Sequence, residues 1–453
     1  MPNAYRQTAA GKPTGHTVLC DRRRRSIVIG VLAAAVIAFT ASVAWATFSA
    51  PVTLSQAGGN ALGGPVAVDS TGKATVVWAR NDGSHYRIQA RAITPFGLGT
   101  TETLSAPGED AIAPVIAVDS TGRATVAWYR FDGSNTRVQA RKIAANGTLG
   151  AIKTLSRAGQ DASQAQVAVD STGKAIVVWR RSDGSDLRIQ ERKIAAGGAL
   201  GAIKTLSAPN GSAISPQVAI DSTDGATVVW QRDAASIERI QARRIAANGT
   251  LDPIRTLAAS AQNVAELPQV AIDSTGKAIV AWDRGPGSNT NIQARSIAPN
   301  GTLGTTQILS APGGYAVNAQ VAVDSTDKAT VVWERFDGSD NLIQARAIAA
   351  DGTLGTTETL SAAGQDAMEG QLAIDPSDTA IVVWDRSNGS INRVQARPIA
   401  ADGTLGTTQT LSAAGPSADA FFPQIAIDPT GKATVGWGRW DGSEYAIQAS
   451  QGP

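Results

Sequence analysis

Residues 166–179 read Q-V-A-V-D-S-T-G-K-A-I-V-V-W: two short runs rich in β-branched residues, parted by S-T-G-K. Glycine at such a turn supplies the positive φ that a tight hairpin needs. Past Trp179 the chain continues through W-x-R, a D-G-S loop, R-I-Q-E-R at 188–192, a Gly-rich turn and T-L-S at 205–207. Four strand-sized segments result, Gln166–Asp170, Lys174–Arg180, Arg188–Ile194 and Lys204–Ser207. No segment carries a sustained apolar stripe of period 3.6, so no helix is expected.

The same sentence is written eight times. Trp78, Trp128, Trp179, Trp230, Trp282, Trp333, Trp384 and Trp437 follow one another at intervals of 50 to 53 residues. A period near 50 is the signature of a repeat array, and four antiparallel strands per repeat make a propeller blade. T-L-S-like segments stand at Thr53, Thr103, Thr154, Thr205, Thr256, Ile308, Thr359 and Thr410, the first of them ahead of any repeat Trp. The last repeat ends at Ile447-Gln448-Ala449-Ser450 without one, and residues 51–56 are a spare fourth strand. Inserting that strand beside residues 424–449 would close a ring and remove both sheet edges. The expected fold is all-β: an eight-bladed β-propeller of four-stranded antiparallel blades, closed by the N-terminal strand completing the last blade. An open solenoid would want polar capping repeats, and the sequence has none.

Residues 1–46 read as a signal peptide, and residues 47–453 as the propeller. Arg22–Arg25 precede an apolar run from Ile27 to Val43, followed by Ala44-Trp45-Ala46. This is a basic, apolar and small-residue series ending at a cleavage site. Arg24-Arg25 also fits a loose twin-Arg pattern. An uncleaved anchor is the alternative, and it is the only membrane contact expected. Either way the body is delivered outside the cytoplasm, secreted or at the cell surface.

The leader holds six of the 40 Lys and Arg and one of the 38 Asp and Glu, which leaves 34 basic and 37 acidic residues in the body. A mildly acidic, extracytoplasmic body does not suit a phosphate backbone, so nucleic acid is not an expected partner. Cys20 and His16 leave with the leader, and His85 is the one His that remains. Thiol nucleophiles, disulfides and His/Cys metal sites are therefore excluded. The turns carry too few carboxylates for a calcium loop. No metal and no cofactor is expected, and a monomer is.

The segments V-A-V-D-S-T-G-K (66–73), R-I-Q (87–89) and D-G-T-L (351–354) resemble NHL-repeat propellers. They are more similar to the D-x-x-G-x-A-x-V-V-W repeats of secreted bacterial β-propellers without an assigned activity. The resemblance spans residues 51–450. It departs from NHL repeats where W-x-R-x-D-G-S replaces a short polar loop. It implies a propeller and leaves the ligand open.

Three polar positions recur in every repeat: the Asp of V-A-V-D (Asp69 to Asp428), the Arg two after Trp (Arg80 to Arg439), and the Gln of I-Q-A-R. Eightfold repetition suits scaffold better than catalysis, which needs one asymmetric constellation. These residues are expected to form a hydrogen-bond network within each blade.

Strand alternation sends the S-T-G-K and A-N-G-T turns to one rim and the remaining loops to the other. The first rim reads almost verbatim from blade to blade, while the second varies, as in Asn81–Tyr86, Asp233–Glu238 and Gly285–Thr290. Loops on a rigid scaffold are where binding usually resides. Eight aromatic residues that the repeat does not require fall on the variable rim: Tyr86, Phe131, Tyr315, Phe336, Phe421, Phe422, Trp440 and Tyr445. Such rings suit sugar faces or protein side chains. The expected function is a secreted or cell-surface binding module for a carbohydrate or protein ligand. One alternative is a glycosidase- or lyase-type enzyme using rim carboxylates such as Asp110, Asp132, Asp161, Asp183, Asp337 and Asp441. Another is an assembly scaffold with no small-molecule site. No catalytic residue is named from sequence.

Overall fold

The computed structural model describes residues 47–452 apart from 261–263, 288, 414 and 416–418. The expected signal segment lies outside the described residues. The sheets number eight, all antiparallel, and each holds one repeat Trp. In blade three the strands are Ala162–Val169, Ala175–Ser182, Leu187–Ile194 and Lys204–Thr205, in spatial order. First strands of successive blades lie against one another around the ring, so they are innermost, and the short T-L-S strands are outermost.

A blade's second strand is apolar throughout because both its faces are covered. Trp179 is fully buried with Ala127, Val138 and Leu155 of the preceding blade, and Val178 is buried with Trp230 of the next. All eight repeat Trp are buried to 1% exposure or less. A propeller core is therefore eight separate interfaces, each centred on one indole.

The expected closure is present. Val52–Thr53 pairs antiparallel with Gln448–Ala449 and completes blade eight. In blade one, Leu104 donates its N–H to Ile88 O at 2.7 Å and Ser105 Oγ accepts from Ile88 N at 3.0 Å. In blade eight, Leu54 N donates to Ile447 O at 2.8 Å and Ser55 Oγ accepts from Ile447 N at 2.9 Å. The T-L-S motif thus has a reason: Thr holds the Gln of I-Q-A-R, Leu fills the core, and Ser caps a buried N–H. Glu444 adds a second clasp, accepting from Gly58 N and Gly59 N at 2.7 and 2.6 Å.

The recurring Asp, Arg and Gln do not form the single network expected from sequence. Asp119 Oδ1 accepts from Thr121 N, Thr121 Oγ1 and Arg123 N, fixing the turn between the first two strands. Arg130 reaches Pro107 O in the blade connection, and Gln139 reaches Thr154 on the outer strand. Asp and Arg project from opposite ends of the blade, so each satisfies the backbone nearest to it.

One irregularity recurs and was not anticipated. The first strand of each blade carries a β-bulge, and its register breaks between Ser163 and Gln166 in blade three. The bulged residue has positive φ: Ala113, Gln164, Ser215, Leu267, Asn318, Glu369 and Phe422, with Gly63 in blade one. These residues stand near the variable-rim end of the ring, six positions before the turn Asp.

Leu54 closes the ring with a fully buried side chain. Leu54→Ala is expected to destabilise the protein by about 2–5 kcal/mol, read as a lower urea midpoint. Phe96→Ser, at a fully exposed residue, should leave that midpoint unchanged.

Candidate functional site

The eight predicted aromatics do lie toward the variable rim, but they do not form one patch. Phe131 ends the second strand of blade two and Tyr86 begins the third strand of blade one. Tyr315 and Phe336 meet at blade six, where Phe336 N donates to Tyr315 O at 2.8 Å. Four more belong to blade eight. The Trp440 and Tyr445 rings are 4.8 Å apart, and those of Phe421 and Phe422 are 6.2 Å apart. Phe421 and Phe422 are not on a loop, as the sequence suggested, but in the innermost strand Ala420–Ile427. Phe422 takes the bulge position and is 52% exposed.

The rim carboxylates proposed for catalysis prove to be turn and cap groups. Asp132 Oδ1 accepts from Ser134 N and Asn135 N while Oδ2 meets Arg137, which together hold its pKa below the usual carboxylate value. Asp183 and Asp337 repeat the turn contacts, and Asp441 is pushed down to about 2 by Glu444 N, Ser443 Oγ and Ser443 N. Asp110 and Asp161 cap the third strands of the preceding blades at Tyr86 N and Thr136 N, each at 2.7 Å. His85 Nδ1 stands 3.8 Å from Asp110 Oδ1 at the solvent edge. Turn contacts of this kind hold Asp132, Asp183, Asp337 and Asp441 below the usual carboxylate value, so they are ionised at neutral pH.

Elsewhere, burial raises Glu191, on the third strand of blade three, to about 7, and it raises three acids that stand at the x of W-x-R. Around the ring that position reads Ala79, Tyr129, Arg180, Gln231, Asp283, Glu334, Asp385 and Gly438. Strand alternation turns x away from the Trp, toward the bulge of the following blade. Asp283 Oδ2 accepts from Asn318 N at 2.9 Å. Glu334 Oε1 accepts from Glu369 N at 2.7 Å and from Asn318 Nδ2 at 3.0 Å. Asn318 thus ties two carboxyl groups together. Burial pushes Asp283 and Glu334 up to about 7, helped by Glu266 and Glu334 around the first and by Glu369 and Asp366 around the second. Burial likewise raises Asp385 well above the usual value, with Glu369 and Glu334 as its charge neighbours.

Across the ring the same position has the opposite character. Arg180 Nε donates to Ser163 Oγ at 2.9 Å beside Tyr129, and Gln164 Oε1 takes the bulge N–H of Ser215 at 2.9 Å. Gly438, Gly63 and Ala79 leave the arc from blade eight to blade one small. The mouth is therefore asymmetric: acidic over blades five to seven, aromatic at blade eight, and basic at blade three. Sequence reading treated x as a spacer between two constant residues. Its blade-to-blade variation was the available signal.

The other rim holds a cavity of about 200 Å³ between blades four and five, lined in part by Arg243, Arg244, Arg255, Asp252 and Asn300. Arg244 there is held by Asp221 Oδ2 at 2.6 Å and Pro299 O at 3.1 Å. Among the described residues no group of three or more His, Cys, Asp or Glu is placed to hold a metal ion.

No protein-family model matches the chain, and no curated protein matches it in sequence. Its fold is similar to that of solved structures. One is a polysaccharide lyase, an ulvan lyase, with TM-score 0.53, 8% identity, and coverage of 88% of this chain and 95% of that one. Another is a puromycin hydrolase, with TM-score 0.52 and 14% identity over 84% of this chain. The match spans 59% of the puromycin hydrolase chain. At these identities the likeness is one of fold: the chain is a β-propeller.

An acid with a higher pKa folded than unfolded binds its proton more tightly in the folded state. Unfolding free energy then falls as pH rises from about 4 to about 7 and is level above that. Asp283→Asn with Glu334→Gln keeps acceptor oxygens for the bulge N–H groups and removes the titration. The double variant should gain several degrees in melting temperature over the native chain at pH 8 and far less at pH 5, by scanning calorimetry.

Proposed function

We propose that the protein is an extracytoplasmic binding module that holds a carbohydrate or protein ligand on its variable rim, over blades five to eight. Residues 1–46 direct export and are removed or kept as an anchor. One observation carries this reading. In a ring whose opposite rim barely varies, six of the eight aromatic residues that escape the repeat fall on blades six and eight, and the three W-x-R acids fall on blades five to seven. The aromatics are Phe336, Tyr315, Phe421, Phe422, Trp440 and Tyr445, with Tyr315 near Asp283 and Glu334. Rigid strands hold most of them, which limits the entropy lost on binding. Rings offer sugar faces apolar contact, and neighbouring polar groups supply direction. The resemblance of the repeats to secreted bacterial propellers agrees with this placement.

A second reading has an observation of its own. Asp283 and Glu334, joined through Asn318 and raised to about 7, fit a proton donor and acceptor. Glycoside hydrolysis uses such a pair, one carboxyl group as acid and the other as base or nucleophile.

The test is binding of protein secreted by cells expressing the full chain to a glycan panel and to insoluble cell-wall polysaccharides. Phe336→Ser, Phe422→Ser and Trp440→Ser combined should weaken binding at least tenfold, while Phe131→Ser should not. A ligand held equally well by the triple variant would move the site off these blades. Release of reducing ends, lost in Asp283→Asn, would establish the enzymatic reading.

A further inference from the structure

We propose that the acidic arc of the mouth captures a ligand through an organic ammonium group, seated among Glu266, Asp283, Glu334, Glu369 and Asp385 and facing Phe422. The inference rests on the reading that the variable rim holds a ligand, and it names the chemistry that ligand must carry.

The three W-x-R acids do not all serve the same purpose. Asp283 and Glu334 each accept the bulge N–H of the following blade, from Asn318 and Glu369. That is a structural reason for an acceptor there, and Gln164 supplies one at Ser215 without a charge. Asp385 breaks the series. The bulge it adjoins is that of blade eight, Phe422, and no hydrogen bond from that residue reaches it among the described residues. Its Oδ1 is buried without a hydrogen-bond partner, in a side chain only 4% exposed. An unpartnered buried acceptor of this kind costs stability, and a donor supplied by a ligand removes that cost.

The surroundings select for positive charge. Among the described residues, none of the three acids is in a salt bridge. The titratable groups around them are Glu266, Tyr315, Asp366 and Glu369, and each raises a neighbouring pKa or has its own raised. Arg284, Arg335 and Arg386 sit one residue further along and face the other way, donating to Ala259 O, Ala311 O and Ala362 O. A metal ion would need several oxygens converging at about 2.0–2.6 Å, and the described residues offer no such group. An ammonium is less demanding, because it brings three donors of its own.

Two features complete the fit. Glu369 and Asn318 are half-buried and Phe422 is exposed, so the arc is open on its inner side. Phe422, at the bulge of the blade that follows Asp385 and with the Phe421 ring 6.2 Å away, supplies an exposed aromatic ring of the kind that stabilises a cation. Burial and mutual repulsion keep Asp283 and Glu334 protonated to near neutrality, so a bound cation drives a proton off them. Binding therefore strengthens as pH rises through about 7 and releases protons.

Spermidine is a suitable probe, since it stays cationic throughout this range. Calorimetry on the secreted protein at pH 5.5 and pH 8 should show saturable binding, at least tenfold tighter at pH 8. The heat at pH 7 should change with the ionisation enthalpy of the buffer. Asp385→Asn should weaken binding at least tenfold with no loss of melting temperature, while Asp132→Asn, at a rim turn of equal charge, should not. Equal weakening by both variants, or pH-independent binding, would reduce the effect to surface charge and overturn the inference. Glycan binding without spermidine binding would overturn it too, leaving the rim-binding reading intact. If neither ligand binds, the ammonium inference and the carbohydrate version of the rim reading both fall.

Discussion

Each blade is a sheet with two apolar faces, and neither may meet water. Trp179 covers one face by packing into the blade before, and Val178 covers the other by receiving the Trp of the blade after. A sheet of this kind has no stable end. The array either runs on or bends back to its start, and the right-handed twist of the strands makes a ring the natural closure. The rest of the structure follows from that constraint. Outer strands are short because little remains for them to cover. The closing strand must come from the far end of the chain, since a first and a last blade would otherwise each leave a face bare.

The same constraint explains what repetition hides. Residues that hold the ring, such as the turn Asp and the capping Ser of T-L-S, satisfy local backbone and so recur in nearly every blade. Blade four has Ala258 where the others have Ser, and it keeps its edge by a longer outer strand, Arg255–Ser260. A position inside the blade that contacts the neighbouring bulge is under a looser demand. It needs only to fit a pocket and satisfy one N–H. Ala, Tyr, Arg, Gln, Asp, Glu and Gly are all found there, and chemistry was free to enter.

The architecture was legible from periodicity because its causes are local. Strand lengths, turn residues and the displaced T-L-S segment are all one-dimensional signals, and the structure has each where the sequence put it. The recurring Arg is satisfied by backbone carbonyls of the blade connection and not by the blade network expected for it. The mouth was legible only in part. Aromatic residues outside the repeat could be counted, but not that Phe421 and Phe422 belong to a strand. The bulge that re-aims Phe422 has no single residue signature, since its positive φ is borne by Ala113, Leu267 and Glu369 alike. Asp283, Glu334 and Asp385 are spaced by 51 residues like everything else in this chain, so spacing could not single them out.

A ring also settles how an asymmetric site arises from equal parts. Acids at one position in three consecutive blades become neighbours through the bulges between them, although fifty residues separate each from the next. Each addition raises the cost of ionising the others, because like charges in a poorly solvated cleft repel. Three rim acids bound to turn N–H groups would behave as three independent carboxylates, each ionised well below neutrality. Turned inward, Asp283 and Glu334 are pushed up to about 7 and Asp385 is raised with them, so that the charge of each bears on the others. That is the physical difference between Asp132 and Asp283. It puts the groups whose charge changes near neutral pH, Asp283 and Glu334, on the inner wall of the ring rather than on the loops above it.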